Sequence, residues 1–214
     1  LDRPVQTERL LPGRATATVA AVPHALQVAR TYFVIGVDHI IGGFDHLLFV
    51  VALVLLLQRG WPVVAAATAF TIAHSITLAG TTLSLFGLPQ APVEAVIALS
   101  IIFLAVEIVK AQPGCPRLSE RLPWLVAFLF GLLHGFGFAG ALREIGLPVT
   151  DLPMALLTFN LGVEAGQMLI IAATLAVIAG LRRLSSTALR PAVLTSAYAI
   201  GSIASFWFIE RIWA

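Results

Sequence analysis

Six long apolar runs, most of which open on a proline, constrain the fold of this chain more than any other feature. The runs cover residues 38–58, 62–86, 92–110, 123–142, 152–181 and 191–212. A helix needs about 20 apolar residues to cross the hydrocarbon core of a bilayer. Proline at the first helical position loses no hydrogen bond, so the prolines mark where helices begin. The sequence therefore predicts an all-α integral membrane protein, a bundle of about six transmembrane helices.

The composition agrees with a membrane protein and excludes several other classes. Hydrophobic residues make up 59% of the 214 residues and charged residues only 11%, whereas soluble domains carry about 25% charged residues. The formal charge of +2 is too small to indicate a nucleic-acid partner, so membrane lipid is the expected surrounding. The single cysteine, Cys115, excludes a disulfide within the chain and a multi-cysteine metal site.

The residues outside these runs indicate how the chain is divided into segments and how it is oriented in the membrane. Residues 1–22 are polar and contain Pro and Gly, and residues 23–35 suit a short interfacial helix before the first run. We expect an extracytoplasmic linker or interfacial segment over residues 1–30 and a transmembrane helical domain over residues 31–214. Short loops rich in Lys and Arg stay in the cytoplasm, and the loops after the odd-numbered runs hold most of these residues. This pattern predicts a multi-pass protein with both termini outside.

Polar and ionisable side chains inside four of the runs share a narrow range of depth. They are Asp45 and His46 in the first run, His74 in the second, His134 in the fourth, and Asn160 and Glu164 in the fifth. Ionisable groups at membrane depth are rare, normally face the bundle interior and mark an ion or proton path. We expect these histidines to approach one another in the folded bundle, with the acidic residues nearby.

Simpler explanations exist for several polar or small residues taken singly. A lone membrane histidine, or Asn160, often serves only as an interhelical hydrogen-bonding group. Glu94 suits a charge at a helix start, and Glu107 suits an interfacial pair with Lys110. Glycines with small-xxx-small spacing in the fourth and fifth runs are explained by close helix packing. They are Gly131, Gly135, Gly162 and Gly166.

The stretch GVDHIIGGFDHLLF, residues 36–49, contains two Asp-His pairs seven residues apart. On a continuous helix the pairs share a face but are separated by about 10.5 Å of rise, which is too far for both histidines to bind one ion. The sequence Gly42-Gly43 between them favours a break. Two interpretations remain: an outer station of Asp38 and His39 above an inner one, or a broken helix that folds both pairs together. We prefer the two stations.

The residue types of this constellation indicate which ions it suits. Imidazole and carboxylate without thiolate favour nickel, cobalt or zinc and disfavour copper(I). Calcium and magnesium prefer oxygen ligands alone, so the histidines argue against them. A divalent transition-metal ion is therefore the expected ligand.

The chain resembles the HupE/UreJ family of bacterial membrane proteins, in the branch with an extracytoplasmic segment before the spans. The likeness covers residues 30–212 and is carried by HIIGGFDHLLFVVALVLL, FTIAHSITLA, FGLLHGFGFAGAL and FNLGVEAGQ. It implies the bacterial inner membrane and uptake of nickel, sometimes cobalt, for hydrogenase and urease maturation. It also implies the motif positions His39, Asp45, His46, His74, His134 and Glu164, to which Asp38 and Asn160 are added as candidates of second rank.

Two functions of different classes remain open at the level of sequence. The first is a permease for a divalent transition metal, nickel or cobalt above others. The second is an intramembrane zinc-dependent hydrolase, in which three histidines hold the metal and Glu164 or Asp45 activates water. A subunit that only stabilises a larger assembly is a third reading, and a homo-oligomer is also open. We rank the permease first.

Overall fold

The regular elements of the described chain are all helices. The structure is a computed structural model that describes residues 25–112, 117–145, 151–185 and 187–213, with residues 139–145 described by their backbone alone. Cys115 and the polar segment before residue 25 lie outside these ranges. The helices are α1 (Ala25–Gly42), α2 (Phe44–Leu57), α3 (Gly60–Thr82), α4 (Gln90–Lys110), α5 (Leu118–Arg121), α6 (Pro123–Ile145), α7 (Leu152–Leu184) and α8 (Leu189–Trp213).

Four helices of the described chain are long and apolar enough to cross a membrane, namely α3, α4, α7 and α8. A fifth span results if α1 and α2, which form a bent pair, are counted as one. In α6, the apolar part with described side chains, Pro123–Phe138, is shorter. The protein is thus a multi-pass helical membrane protein, but the predicted count of about six spans is not confirmed.

The bend between α1 and α2 is centred on Gly43. The two helices meet at 71°, and Gly43 has an extended backbone between them, with φ −80° and ψ 101°. The Gly43 N–H still donates to the His39 carbonyl at 3.0 Å. A Cβ atom at position 43 would lie 2.6 Å from that carbonyl oxygen and 2.9 Å from Nδ1 of His46, so only glycine fits.

The first predicted span, residues 38–58, is therefore not one straight helix. Its first residues belong to α1, which packs along α7. Helix α1 begins at Ala25 and therefore crosses the predicted boundary between residues 30 and 31. The part after the bend, α2, lies at the centre of the bundle and contacts α4, α7, α3 and α8. Its middle residues Ala52, Leu53 and Val54 are at most 2% exposed.

Three helix pairs have the most extensive contacts: α1 with α7, α3 with α6, and α4 with α8. Glycines allow the first two pairs to meet backbone to backbone. A Cβ atom on Gly36 of α1 would lie 2.1 Å from the Phe159 carbonyl oxygen, and one on Gly162 of α7 would lie 2.1 Å from the Phe33 carbonyl oxygen. The prediction that the small residues mediate close helix packing is confirmed.

The glycines of α6 play the same part against α3. A Cβ atom on Gly131 would lie 2.4 Å from the Phe70 carbonyl oxygen, and one on Gly135 would lie 2.5 Å from the His74 carbonyl oxygen. Because small residues let helix backbones approach where lipid supplies no hydrophobic drive, these contacts stabilise the bundle by packing. On the outer surface of α7, large apolar side chains such as Leu161, Leu169 and Val177 are exposed, as lipid contact requires.

Polar contacts join the helices at both ends of the bundle. At one end Arg182 donates to the Gln58 side chain at 2.7 Å, and at the other Arg211 pairs with Glu94 at 2.8 Å. The sequence suggested that Glu107 pairs with Lys110, but the buried Glu107 carboxylate has other partners. It accepts hydrogen bonds from Arg117, at 2.6 Å, and from Ser119.

We expect Gly162→Ala to destabilise the protein, because the new methyl group would collide with the Phe33 carbonyl oxygen of α1. Overpacking of this kind costs about 1–3 kcal/mol. Gly180→Ala, on the same helix with nothing within 4 Å of its Cβ position, is the matched control. Thermal unfolding in detergent, followed by fluorescence, measures both variants. Equal midpoints would contradict the packing role of Gly162.

Candidate metal centre

Four imidazole rings from four helices converge in the bundle interior. His39 comes from the last turn of α1, His46 from the first turn of α2, His74 from α3 and His134 from α6. The ring of His46 lies 4.4 Å from that of His39, 5.0 Å from that of His134 and 6.4 Å from that of His74, between centroids. One ligand atom from each of His39, His46 and His74 lies within 4.8 Å of the other two. These three rings are close enough to share one ion.

The bend at Gly43 is the reason that His39 joins this group. Seven residues of straight helix would separate His39 and His46 by about 10.5 Å, whereas their ring centroids are 4.4 Å apart. The preferred arrangement of two separate stations is therefore wrong for the histidines, and the broken-helix alternative describes them. Asp38, the second member of the supposed outer station, is exposed and is not part of the group.

The ring orientation of His46 and His134 is fixed by oxygen acceptors. Nδ1 of His46 lies 3.0 Å from the Asp45 carboxylate, and Nδ1 of His134 lies 2.9 Å from the Phe130 backbone carbonyl. Neither acceptor oxygen can donate, so in a neutral imidazole the proton belongs on Nδ1 and the lone pair on Nε2. Ligating histidines in proteins almost always have such a partner on the ring nitrogen that does not bind the metal.

Asn160 of α7 fixes His74 in the same way. Its amide nitrogen donates to the Leu156 carbonyl at 2.8 Å, which turns its amide oxygen toward Nδ1 of His74 at 3.2 Å. Nδ1 of His74 is therefore the hydrogen-bond donor, and the lone pair of this ring is on Nε2, as in His46 and His134. Asn160, a second-rank ligand candidate in the sequence, has the geometry of a residue that positions a ligand.

The Nε2 atoms of the four rings are buried and have no hydrogen-bond partner among the described residues. His74 and His134 are at most 1% exposed and His46 is 5% exposed. Leaving one buried polar atom unsatisfied costs about 1–3 kcal/mol. Four such nitrogens on converging rings, without a thiolate, have the chemistry of a donor set for a cation.

Asp45 lies at the edge of this set. Its carboxylate accepts a bond from the His46 backbone N–H at 2.9 Å as well as from the His46 ring. It stands in the first turn of α2, where the helix dipole favours a negative charge. Its side chain is 33% exposed and lines the cavity beside the histidines, so it can attract a cation while it orients His46.

Glu164 is the one motif residue that the structure holds apart from the imidazoles. Its carboxylate accepts hydrogen bonds from Thr68 at 2.6 Å and from Thr71 at 2.5 Å, in the interface of α3 and α7. Glu164 and His134 are both outside the group of three whose ligand atoms lie within 4.8 Å of one another, but the His134 ring lies 5.0 Å from that of His46. The described contacts therefore join Glu164 to two hydroxyl groups and not to the histidines.

A cavity of about 150 Å³ leads to the histidines from the end of the bundle where Arg211 and Glu94 pair. His39, His46 and His134 line its inner part together with Asp45. Its remaining walls include Gln90, Glu94, Trp207 and Arg211, none of which sequence reasoning included in the site. Glu94 and Arg211 are 117 residues apart in the chain, so no local pattern signals their pairing.

Aromatic rings close the site on its other side, one helical turn further along α2. Phe49 lies 5.1 Å from Phe70 and 5.3 Å from His134, between ring centroids, and Phe70 lies 4.9 Å from His134. Phe49 and Phe70 are each 1% exposed. These rings exclude water from one side of the imidazoles, which strengthens electrostatic interactions there.

We expect Asn160→Ala to weaken metal binding by about 10- to 100-fold, the range for loss of a partner that orients a ligand. The loss follows because His74 would no longer be held with Nε2 toward the other rings. Asn160→Asp, which keeps an acceptor oxygen, should bind far better than the alanine variant. Thr158→Ala, whose hydroxyl bonds only within α7, is the control. Calorimetric titration of purified protein with nickel measures all three, and an unchanged affinity of Asn160→Ala would refute the role.

Comparison with known proteins agrees with these observations. A sequence model of a protein family, described as HupE / UreJ protein, matches residues 15–211, nearly the whole chain. No curated protein and no solved structure gives a significant match. The chain belongs to the HupE/UreJ family.

Proposed function

We propose that this member of the HupE/UreJ family is a permease for a divalent transition-metal ion, with nickel or cobalt as its substrate. The observation that carries the proposal is the convergence of four buried, unpartnered imidazole Nε2 atoms, three of them on histidines that line an open cavity. The family suggests nickel or cobalt transport. In this proposal His39, His46, His74 and His134 bind the ion, and Asp45 and Asn160 orient two of them.

The donor chemistry supports this class of substrate. Neutral imidazole suits nickel, cobalt and zinc, whereas copper(I) requires softer sulfur ligands. Asp45 supplies a negative charge beside the imidazoles. Because an ion that leaves water must recover its lost hydration from protein ligands, several preset nitrogen donors lower the cost of bringing it to membrane depth.

A path through the protein has to pass the aromatic rings. The cavity reaches the imidazoles from the Glu94 end, and Phe49 and Phe70 pack against His134 on the opposite side. We propose that this arrangement is a state accessible from one side. Release on the other side then requires those rings to move apart, and helix motion at the bend is one way to achieve it.

We assign the protein to the bacterial inner membrane with both termini outside. The proposal rests on loop charge, because loops rich in Lys and Arg stay in the cytoplasm. Arg182 and Gln58 meet at one end of the bundle, so the basic loops after α2 and α7 lie together. Glu94 and Arg211 meet at the other end. We also propose that residues 1–30, the last of which belong to the start of α1, form an extracytoplasmic linker or interfacial segment before the transmembrane domain of residues 31–214.

A zinc-dependent hydrolase is the second candidate. The specific observation in its favour is that three histidine ligand atoms lie within 4.8 Å of one another, as a single tightly held zinc ion requires. Glu164, however, is occupied by Thr68 and Thr71, which leaves Asp45 as the acidic residue beside the histidines. A hydrolase would retain one metal ion per chain and show no flux.

Proteoliposomes that contain only this protein should take up radioactive nickel or cobalt, and His74→Ala should abolish uptake because it removes a buried ligand that water cannot easily replace. Ser205→Ala, whose hydroxyl bonds only within α8, should transport normally. Absence of flux for nickel, cobalt, zinc and manganese, alongside one tightly bound zinc per wild-type chain, would replace the permease with the hydrolase.

Thiol labelling tests the orientation. In a Cys115→Ser background, Thr187→Cys in the exposed turn between α7 and α8 should react with a membrane-impermeant reagent only in inverted vesicles. Gly87→Cys, in the exposed segment between α3 and α4, should react in intact spheroplasts. The reverse pattern would invert the assignment, and labelling of both from one side would contradict the predicted topology.

A further inference from the structure

An ion pair that the proposed metal site does not use lines the cavity that leads to it. Glu94 of α4 and Arg211 of α8 are both in the cavity wall, and the same cavity ends at His39, His46 and His134. The Glu94 side chain is 36% exposed and the Arg211 side chain 30% exposed. The pair therefore stands between the open end of the cavity and the buried imidazoles.

Both oxygens of the Glu94 carboxylate are occupied. One accepts from Nε of Arg211 at 2.8 Å, and the other accepts from the Gln90 amide nitrogen at 2.9 Å. Gln90 in turn donates to the Gly137 carbonyl of α6 at 2.7 Å. The carboxylate is thus held in place by α6 and α8 as well as by its own helix.

Arg211 has a second interaction partner in the same position. Its guanidinium carbon lies 5.9 Å from the centroid of the Trp207 ring, one turn back on α8, which is within the range of a cation–π interaction. Trp207 also lines the cavity. The indole ring therefore stabilises the guanidinium alongside Glu94, and this second interaction does not depend on the carboxylate.

The charges of the cavity make this pair significant for a cation. The donor set around the imidazoles is neutral except for Asp45, and Glu94 is a further carboxylate in the cavity wall. While Arg211 holds Glu94, the guanidinium neutralises that carboxylate and places a positive charge on the route of a positive ion. When Arg211 is displaced, Glu94 becomes free to bind the ion on its way to the histidines.

We infer that Glu94 is an entrance ligand for the metal ion and that Arg211 is a built-in competing cation, which the ion displaces from Glu94. The inference rests on the proposed function, because it takes the four imidazoles as the destination of the ion. Their unpartnered Nε2 atoms, three of them in rings at most 5% exposed, are the independent sign that the cavity receives a cation.

A merely structural pair between α4 and α8 gives a different expectation. If the ion pair only joined the two helices, neutralising either member would lower stability, and metal affinity would change in the same direction in both variants. A competing cation has the opposite signature. Loss of the carboxylate weakens binding, whereas loss of the guanidinium strengthens it.

Nickel binding to full-length protein in detergent, measured by calorimetric titration, tests the inference. We expect Glu94→Gln to raise the dissociation constant roughly five- to tenfold and Arg211→Gln to lower it by a similar factor, as the loss of one nearby charge implies. The double variant should lie between them, and Arg211→Lys, which keeps the charge, should resemble the wild type. Glu210→Gln, at an exposed acid outside the cavity wall, should have no effect.

Shifts in the same direction for Glu94→Gln and Arg211→Gln, or no shift in either, would overturn the inference. If Arg211→Gln does not fold, the comparison of Glu94→Gln with the double variant decides, because removal of the guanidinium should then restore affinity. Wild-type protein that binds nickel and transports it, with unchanged affinity in the variants, would refute the entrance role alone. Wild-type protein that binds neither nickel, cobalt nor zinc would refute the proposed function and this inference together.

Discussion

The junction at Gly43 determines where the imidazoles of the first two helices lie, and the rest of the site is arranged around them. Its backbone is extended and the helices on either side meet at 71°, which brings His39 next to His46. A side chain at this position would press on the His39 carbonyl and on the His46 ring. Glycine is therefore required at this position, because a larger residue would disturb both the bend and the position of the His46 ring.

Three different oxygen acceptors produce one chemical result at the centre of the bundle. A carboxylate holds His46, an amide oxygen holds His74 and a backbone carbonyl holds His134, and each leaves Nε2 as the free nitrogen. These buried nitrogens have no hydrogen-bond partner among the described residues. A ligand that accepts their electron pairs would recover the free energy lost by burying them, as the proposed metal ion does.

Sequence reasoning predicted part of this arrangement and missed the rest for physical reasons. Depth within apolar runs was enough to predict that His46, His74 and His134 approach one another, although it could not exclude a straight helix through Gly43. The preference for two stations failed because helix periodicity carries no information on how far a break bends the chain. Hydropathy likewise does not fix the number of spans. The described helices give four spans, or five if the bent pair α1 and α2 is counted as one. The partners of Asn160 and Arg211 depend on helix packing, and Glu94 lies 117 residues from the arginine that holds it.

The glycine contacts between helices also define which parts of the site are mechanically joined. Gly36 and Gly162 press α1 and α7 together at their backbones, so His39 and Asn160 belong to one rigid unit. Gly131 and Gly135 do the same for α6 and α3, so His134 and His74 belong to a second unit. His46 and Asp45 stand on α2, which Gly43 separates from α1. The four imidazoles are therefore distributed over three bodies, which also contact one another, for example through the bond between His74 and Asn160. If one body slid by about 1–2 Å, the number of Nε2 atoms within reach of a single ion would change while every helix stayed intact. The affinity of the site for an ion would then depend directly on the relative position of the helices.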